Sequence, residues 1–167
     1  LEAAEKKLVP LGVNVETLSK EVKPELYLKR YKSVAVPYSE ISYAEFLSLQ
    51  NCGAKFSDAT NAIRECAKVK TEGELNAISR ACEIAEEGLQ KTLGEIKEGM
   101  TEREVAAILE HEMRACGADG TSFDTIVAFG AGAAVPHHET GDTKLKFGDE
   151  ILIDFGCKTQ GYCSDMT

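Results

Sequence analysis

The sequence has no apolar run long enough to span a bilayer, which excludes an obvious transmembrane helix. Its first residues, Leu1-Glu2-Ala3-Ala4-Glu5-Lys6-Lys7, lack the apolar core of a signal peptide. The start at Leu1 rather than Met reads as processing, trimming or an incomplete record of the chain. Positive charge is also in short supply. A formal net charge of -9 argues against general affinity for nucleic acid or anionic membranes. No CxxC pair is present, and no histidine lies at zinc-finger spacing. Cys52, Cys66, Cys82, Cys116, Cys157 and Cys163 are scattered instead. That pattern fits a reducing cytosol better than a disulfide framework, and predicts free, mostly buried thiols in a cytoplasmic protein. The glycine-rich segment Gly130–Ala134 lacks the lysine and hydroxyl of a P-loop and the spacing of a dinucleotide fingerprint. What remains is an acidic chain of ordinary globular composition, long enough for one good core or one and a half domains.

The first 66 residues are mixed in pattern. Leu1 to Leu11 reads as a short helix, and Ser33-Val34-Ala35-Val36-Pro37 as a strand ended by proline. Ser42 is placed to cap a helix through Phe46 and Leu49, and Asp58 to cap another carrying Ile63 and Cys66. From Thr71 the pattern sharpens. Thr71 with Glu74 is a capping box, and Leu75, Ile78, Ala81, Ile84, Leu89, Leu93 and Ile96 follow near helical spacing, to a stop expected at Gly99. Thr101 with Glu104 is a second capping box. It opens a helix with an apolar face of Val105, Ile108, Leu109 and Met113 that ends at Gly117. Strands follow at Thr125–Phe129, Glu150–Phe155 and Gly161–Asp165. Two helices before antiparallel strands indicate an α+β layer.

The last two strands carry paired carboxylates. A turn at Thr159-Gln160 sets Lys158 against Gly161 and Cys157 against Tyr162, and puts Asp154 directly opposite Asp165. Opposed residues share a face, with Cβ atoms about 4.5–5.5 Å apart. Ionised carboxylates that close repel, and a divalent cation resolves the repulsion because it prefers hard oxygen ligands. The plainer alternative is a pair of surface aspartates at a hairpin end. The same register separates Cys157 and Cys163 onto opposite faces.

All three histidines lie in the second half. His111 falls in an amphipathic helix and reads as a surface or packing residue. His137 and His138 close the small-residue loop Gly130-Ala-Gly-Ala-Ala-Val-Pro-His-His-Glu139. Small residues admit close approach by a ligand, and Pro136 restricts the backbone ahead of His137. An imidazole there can bind metal, move a proton or steady negative charge. An exposed loop with incidental histidines is the competing reading.

Several motifs together resemble a known family. They are Lys70-Thr71 through Ala81, Gly99-Met-Thr-Glu-Arg-Glu104, Ser122-Phe-Asp-Thr-Ile-Val127, Pro136-His137, Gly148-Asp149-Glu150, Ile153-Asp-Phe-Gly156 and Gly161-Tyr-Cys-Ser-Asp-Met-Thr167. In this order they resemble the front half of a pita-bread metallopeptidase domain, of the Xaa-Pro peptidase branch that contains prolidase and aminopeptidase P. The resemblance implies an α+β pita-bread half over residues 67–167. It also implies, more weakly, that residues 1–66 are the C-terminal part of a creatinase-like α/β N-terminal domain. It assigns Asp154 to one metal and Asp165 to a bridging position between two. It assigns His137 to substrate contact and to the tetrahedral intermediate. In that family a hydroxide held between two ions of manganese, cobalt or zinc attacks a peptide bond preceding proline. The implied partner is a proline-containing peptide, and the implied assembly is a homodimer.

The family completes its metal site with a histidine and two glutamates further along. The present sequence stops at Thr167. A truncated, inactive chain with weak metal binding at best is therefore expected. A non-catalytic pita-bread module that binds peptides or proteins is the alternative. A metal-free creatinase-like amidinohydrolase is disfavoured by the aspartate pair.

Overall fold

The structure, a computed structural model, describes residues 24–167. The helix expected over Leu1–Leu11 lies outside the described residues. Two compact units divide the chain between Val69 and Lys70.

The first unit alternates helix and strand: α1 (Pro24–Leu28), β1 (Ser33–Val36), α2 (Tyr43–Gln50), β2 (Lys55–Asp58) and α3 (Thr60–Lys68). β1 and β2 run parallel, with Val36 opposite Asp58. Ser42 caps α2 through a complete capping box with Glu45. The cap expected of Asp58 sits one residue further out than a standard N-cap. Its Oδ1 accepts the Thr60 amide at 2.8 Å, while Ala59 occupies the cap position itself. Strand β2 was not legible in the sequence: its burial is irregular, and Phe56 is held by an edge-on contact to Phe46 at 5.4 Å.

The second unit opens with two antiparallel-strand-covering helices, α4 (Glu72–Leu93) and α5 (Glu102–Ala115). Both begin at the expected capping boxes. α4 ends at Leu93, six residues short of the expected stop at Gly99. Gly94 lowers helix propensity, and the buried Thr92 hydroxyl turns back to the Gly88 carbonyl at 2.8 Å. Ile96 then packs with Met100 against a different cluster from the one α4 serves. Gly88 sets the distance between the helices. A Cβ there would lie 2.7 Å from Met113 Cγ, so only glycine admits α5 this closely.

The strands are β3 (Gly120–Thr121), β4 (Ile126–Phe129), β5 (Ile151–Asp154), β6 (Cys157–Thr159) and β7 (Tyr162–Cys163), with a 3-10 turn at Gly130–Ala134. β4 pairs antiparallel with β5, β3 with β6, and β6 with β7. Five steps from Thr121 to Ile126 face three from Cys157 to Asp154, so the strand bulges between β3 and β4. The core lies between helices and sheet. Ala81, Ile84, Ala85, Leu109, Met113, Phe155 and Cys157 form one buried cluster, and Val105, Ala106, Val127, Phe129 and Leu145 another.

The thiols are free, but the expectation that most are buried fails. Cys52 and Cys157 are buried, Cys116 is half-buried, and Cys66, Cys82 and Cys163 are exposed. The exposed three sit on solvent faces of otherwise amphipathic elements, where a small side chain carries little burial preference of its own.

Candidate active site

The hairpin register differs from the expected one by two residues. Thr159 faces Tyr162, Lys158 faces Cys163, and Phe155 bridges Met166. The turn is therefore Gln160-Gly161, with φ of 52° and 84°. Positive φ at both central residues is the type I′ geometry, whose twist suits a two-residue hairpin. The shift is even, so every side chain keeps its face while its partner changes. Continued outward, the register puts Thr167 opposite Asp154, and the Thr167 hydroxyl donates to Asp154 Oδ1 at 3.2 Å. Asp165 falls opposite Gly156. The two aspartates share a face as diagonal neighbours rather than as a facing pair, at Cα separations of about 7–8 Å.

Gly156 makes this crossing possible. A Cβ on it would lie 2.1 Å from the Ser164 carbonyl oxygen and 2.8 Å from Ser122 Oγ. The Ser122 hydroxyl sits between the Cys157 and Ser164 carbonyls, at 2.9 and 2.7 Å, and ties the bulge to both strands of the hairpin. Cys157 and Cys163 lie on opposite faces, one buried and one exposed.

Asp154 is half-buried and Asp165 exposed. Among the described residues neither is in an ion pair, and no three His, Cys, Asp or Glu side chains converge as a metal-binding group. The donor chemistry suits a hard divalent cation, because both groups offer carboxylate oxygens from one strand face with no competing cation.

His137 and Asp154 line one cleft of about 250 Å³ with Ile126, Val135, Leu152 and Thr167. His137 is exposed and has φ of 54°, a left-handed conformation that is unusual outside glycine. His111 is exposed on α5, as expected of a surface residue.

The loop behind His137 is held by Glu102, which no sequence motif marks as a site residue. Glu102, in the first turn of α5, is fully buried. Its Oε1 accepts the Phe129 amide at 3.0 Å, and its Oε2 accepts the Gly141 amide at 2.8 Å and lies 3.0 Å from His138 Nε2. Burial pushes the carboxyl upward, but the bonds from His138, Gly141 and Phe129 together hold it below the usual carboxylate range. Thr140 Oγ1 accepts the Val127 amide at 2.9 Å and donates to the Thr125 carbonyl at 3.1 Å. The outer edge of β4, which has no strand partner among the described residues, is thus satisfied by two side chains. A signal for Glu102 was present: it falls on the stripe of Val105, Ala106, Leu109 and Met113, an acid where the helix is otherwise apolar.

Comparison with known proteins places the fold. The model of metallopeptidase family M24 matches residues 76–167. The Xaa-Pro dipeptidase of Pyrococcus horikoshii is 41% identical over 113 residues, which is 68% of this chain and 32% of that protein. Among solved structures, an X-Pro aminopeptidase from Thermotoga maritima superposes with a TM-score of 0.82 at 36% identity, over 88% of this chain and 44% of that one. The prolidase of Pyrococcus horikoshii gives 0.81 at 32% identity, over 98% of this chain and 48% of its own. The chain therefore spans about a third of that curated relative and under half of these solved chains. The fold is the pita-bread type seen in Xaa-Pro peptidases, in the part that these residues cover. The chain belongs to metallopeptidase family M24.

Proposed function

We propose that these residues supply the front half of the catalytic domain of an Xaa-Pro peptidase, which hydrolyses a peptide bond preceding proline. The observation that carries this reading is the shared cleft of His137 and Asp154, with Asp165 on the same strand face as Asp154. In this reading residues 67–167 belong to the catalytic domain, and residues 1–66 close a creatinase-like N-terminal domain.

Asp154 and Asp165 would hold divalent ions, manganese, cobalt or zinc. When bound, such ions activate water and polarise the scissile carbonyl. Thr167 orients Asp154 by donating to one of its oxygens, and leaves the other free for a ligand. His137 projects from a fixed backbone at the cleft, where its imidazole can donate a hydrogen bond to a carbonyl oxygen that gains negative charge. Ile126, Val135 and Leu152 give the cleft apolar walls suited to a prolyl ring. Two carboxylates are two ligands of a larger set, so the 167 residues alone bind metal weakly and do not turn over substrate.

Calorimetric titration with manganese tests the site directly. Weak binding that disappears in Asp154→Asn/Asp165→Asn supports it, and binding unaffected by the double substitution refutes the assignment. Manganese-dependent hydrolysis of an Xaa-Pro dipeptide by a longer chain that includes these residues supports the activity. No hydrolysis by that metal-loaded chain favours the peptide-binding module instead.

A further inference from the structure

We propose that Glu102 and His138 form a positioning pair that holds His137 in its left-handed conformation. The inference rests on the role given to His137 above, and its first test does not depend on activity.

Glu102 meets the loop at three places. Phe129 precedes the 3-10 turn, His138 follows His137, and Gly141 ends the segment. One carboxylate therefore clamps both ends of the loop and the residue next to His137. The His138 ring is also packed: a Cβ on Gly132 would lie 3.0 Å from its Cε1. The imidazole is thus fixed between the backbone of the 3-10 turn and a buried carboxylate. On the other side of His137, the Val135 amide donates to the Gly132 carbonyl at 3.0 Å.

A left-handed non-glycine residue costs of order 1–2 kcal/mol and persists only where its surroundings over-determine it. Pro136 restrains the chain before His137, and the His138–Glu102 contact restrains it after. His138 takes no part in the outer edge of β4, which Thr140 satisfies at Val127 and Glu102 at Phe129. His138 acts here through its neighbour. With Nε2 bonded to the carboxylate, that nitrogen carries the proton and donates.

The test compares His138→Phe and His138→Gln in the 167-residue chain. Phenylalanine keeps an aromatic ring against Gly132 and removes the donor, whereas glutamine restores a donor toward Glu102. The readout is the strong intraresidue amide-to-Hα contact in NMR spectra that marks a left-handed residue, read at His137. It is expected in the native chain, absent in His138→Phe and recovered in His138→Gln, while the amides of the α4–α5 core keep their positions in all three. Persistence of the mark in a folded His138→Phe overturns the proposal. If that variant does not fold, Glu102→Gln gives the same decision, because its amide group cannot accept from all three donors. In a longer, active chain, His138→Phe is expected to lower kcat by about 10–100-fold with KM nearly unchanged, as for a misplaced catalytic group. It should add nothing in a His137→Ala background. An equal loss in that background overturns the proposal, whereas a longer chain with no activity defeats only the proposed function and leaves the NMR result standing.

Discussion

Glu102 lies three residues before Val105 and seven before Leu109, both fully buried. Helical spacing therefore assigns it to the core face, and its charge says that something polar must meet it there. The sequence cannot say what, because its partners Phe129, His138 and Gly141 come from a loop whose path depends on the fold. The carboxyl is held below its ordinary value of 4.5 in the folded chain. Its contribution to stability is then fully present above the unfolded value and is lost as pH falls through the folded one. Glu102→Gln should cost about 2 kcal/mol near neutral pH, the scale of hydrogen bonds to a charged group. The gap between native and variant should narrow below pH 4.5. Urea unfolding of both proteins from pH 3 to 7 measures it, and a gap independent of pH refutes the assignment.

The aspartates show a different limit of the sequence. Their shared face was legible, since a strand alternates with period two whatever its partner. Their separation was not, because it depends on which two residues make the turn. The facing register implies that removing either carboxylate relieves repulsion in the metal-free chain. The diagonal register removes most of that repulsion. Asp165→Ala, at an exposed position without a described hydrogen bond, should leave stability within about 0.5 kcal/mol of the native value. A clear gain in denaturation midpoint without metal would restore the facing arrangement.

At the level of elements, the starts of the helices with capping boxes are legible in the sequence. Ser42, Thr71 and Thr101 each accept the N3 amide and are reached by the N3 glutamate. These signals are local, so the sequence carries them whole. Helix ends and short strands depend on tertiary partners, and for that reason the end of α4 and the strands β2 and β3 are not legible in the sequence. The Gln160-Gly161 turn makes the same point. Glutamine is not a residue that favours positive φ, so nothing in its identity marked the first turn position. Gln160→Asn should therefore stabilise the hairpin by about 0.5–1 kcal/mol, since asparagine tolerates that conformation better. The Gln160 amide bond to Asp119 involves only the backbone donor and survives the change. Gly156→Ala should act in the opposite direction on the same hairpin. Its new methyl would overlap the Ser164 carbonyl, and the cost should reach about 3 kcal/mol. Thermal unfolding of the two variants checks both signs.

Over the whole molecule, the described residues of the two units differ in how much apolar surface they bury. The second is a helix-on-sheet layer with fully buried Ala81, Leu109, Val105 and Val127. Among the described residues of the first, little is fully covered: Val36, Cys52 and Thr60 are buried, and the Tyr38–Phe46–Phe56 ring contacts at 5.5 and 5.4 Å add order. Stability follows apolar burial, so the first unit should open at lower denaturant than the second. Hydrogen exchange resolved by residue gives the comparison. Val34 and Phe56 amides should exchange through a lower-energy opening than those of Leu109 and Val127. Phe46→Ala should lower the first opening energy by about 3 kcal/mol or abolish the unit, as for loss of a packed aromatic side chain. The Leu109 and Val127 amides should keep their protection in that variant. Matching losses of protection in both sets would mean that the chain unfolds as one cooperative body, and that the boundary between Val69 and Lys70 is not a boundary in stability.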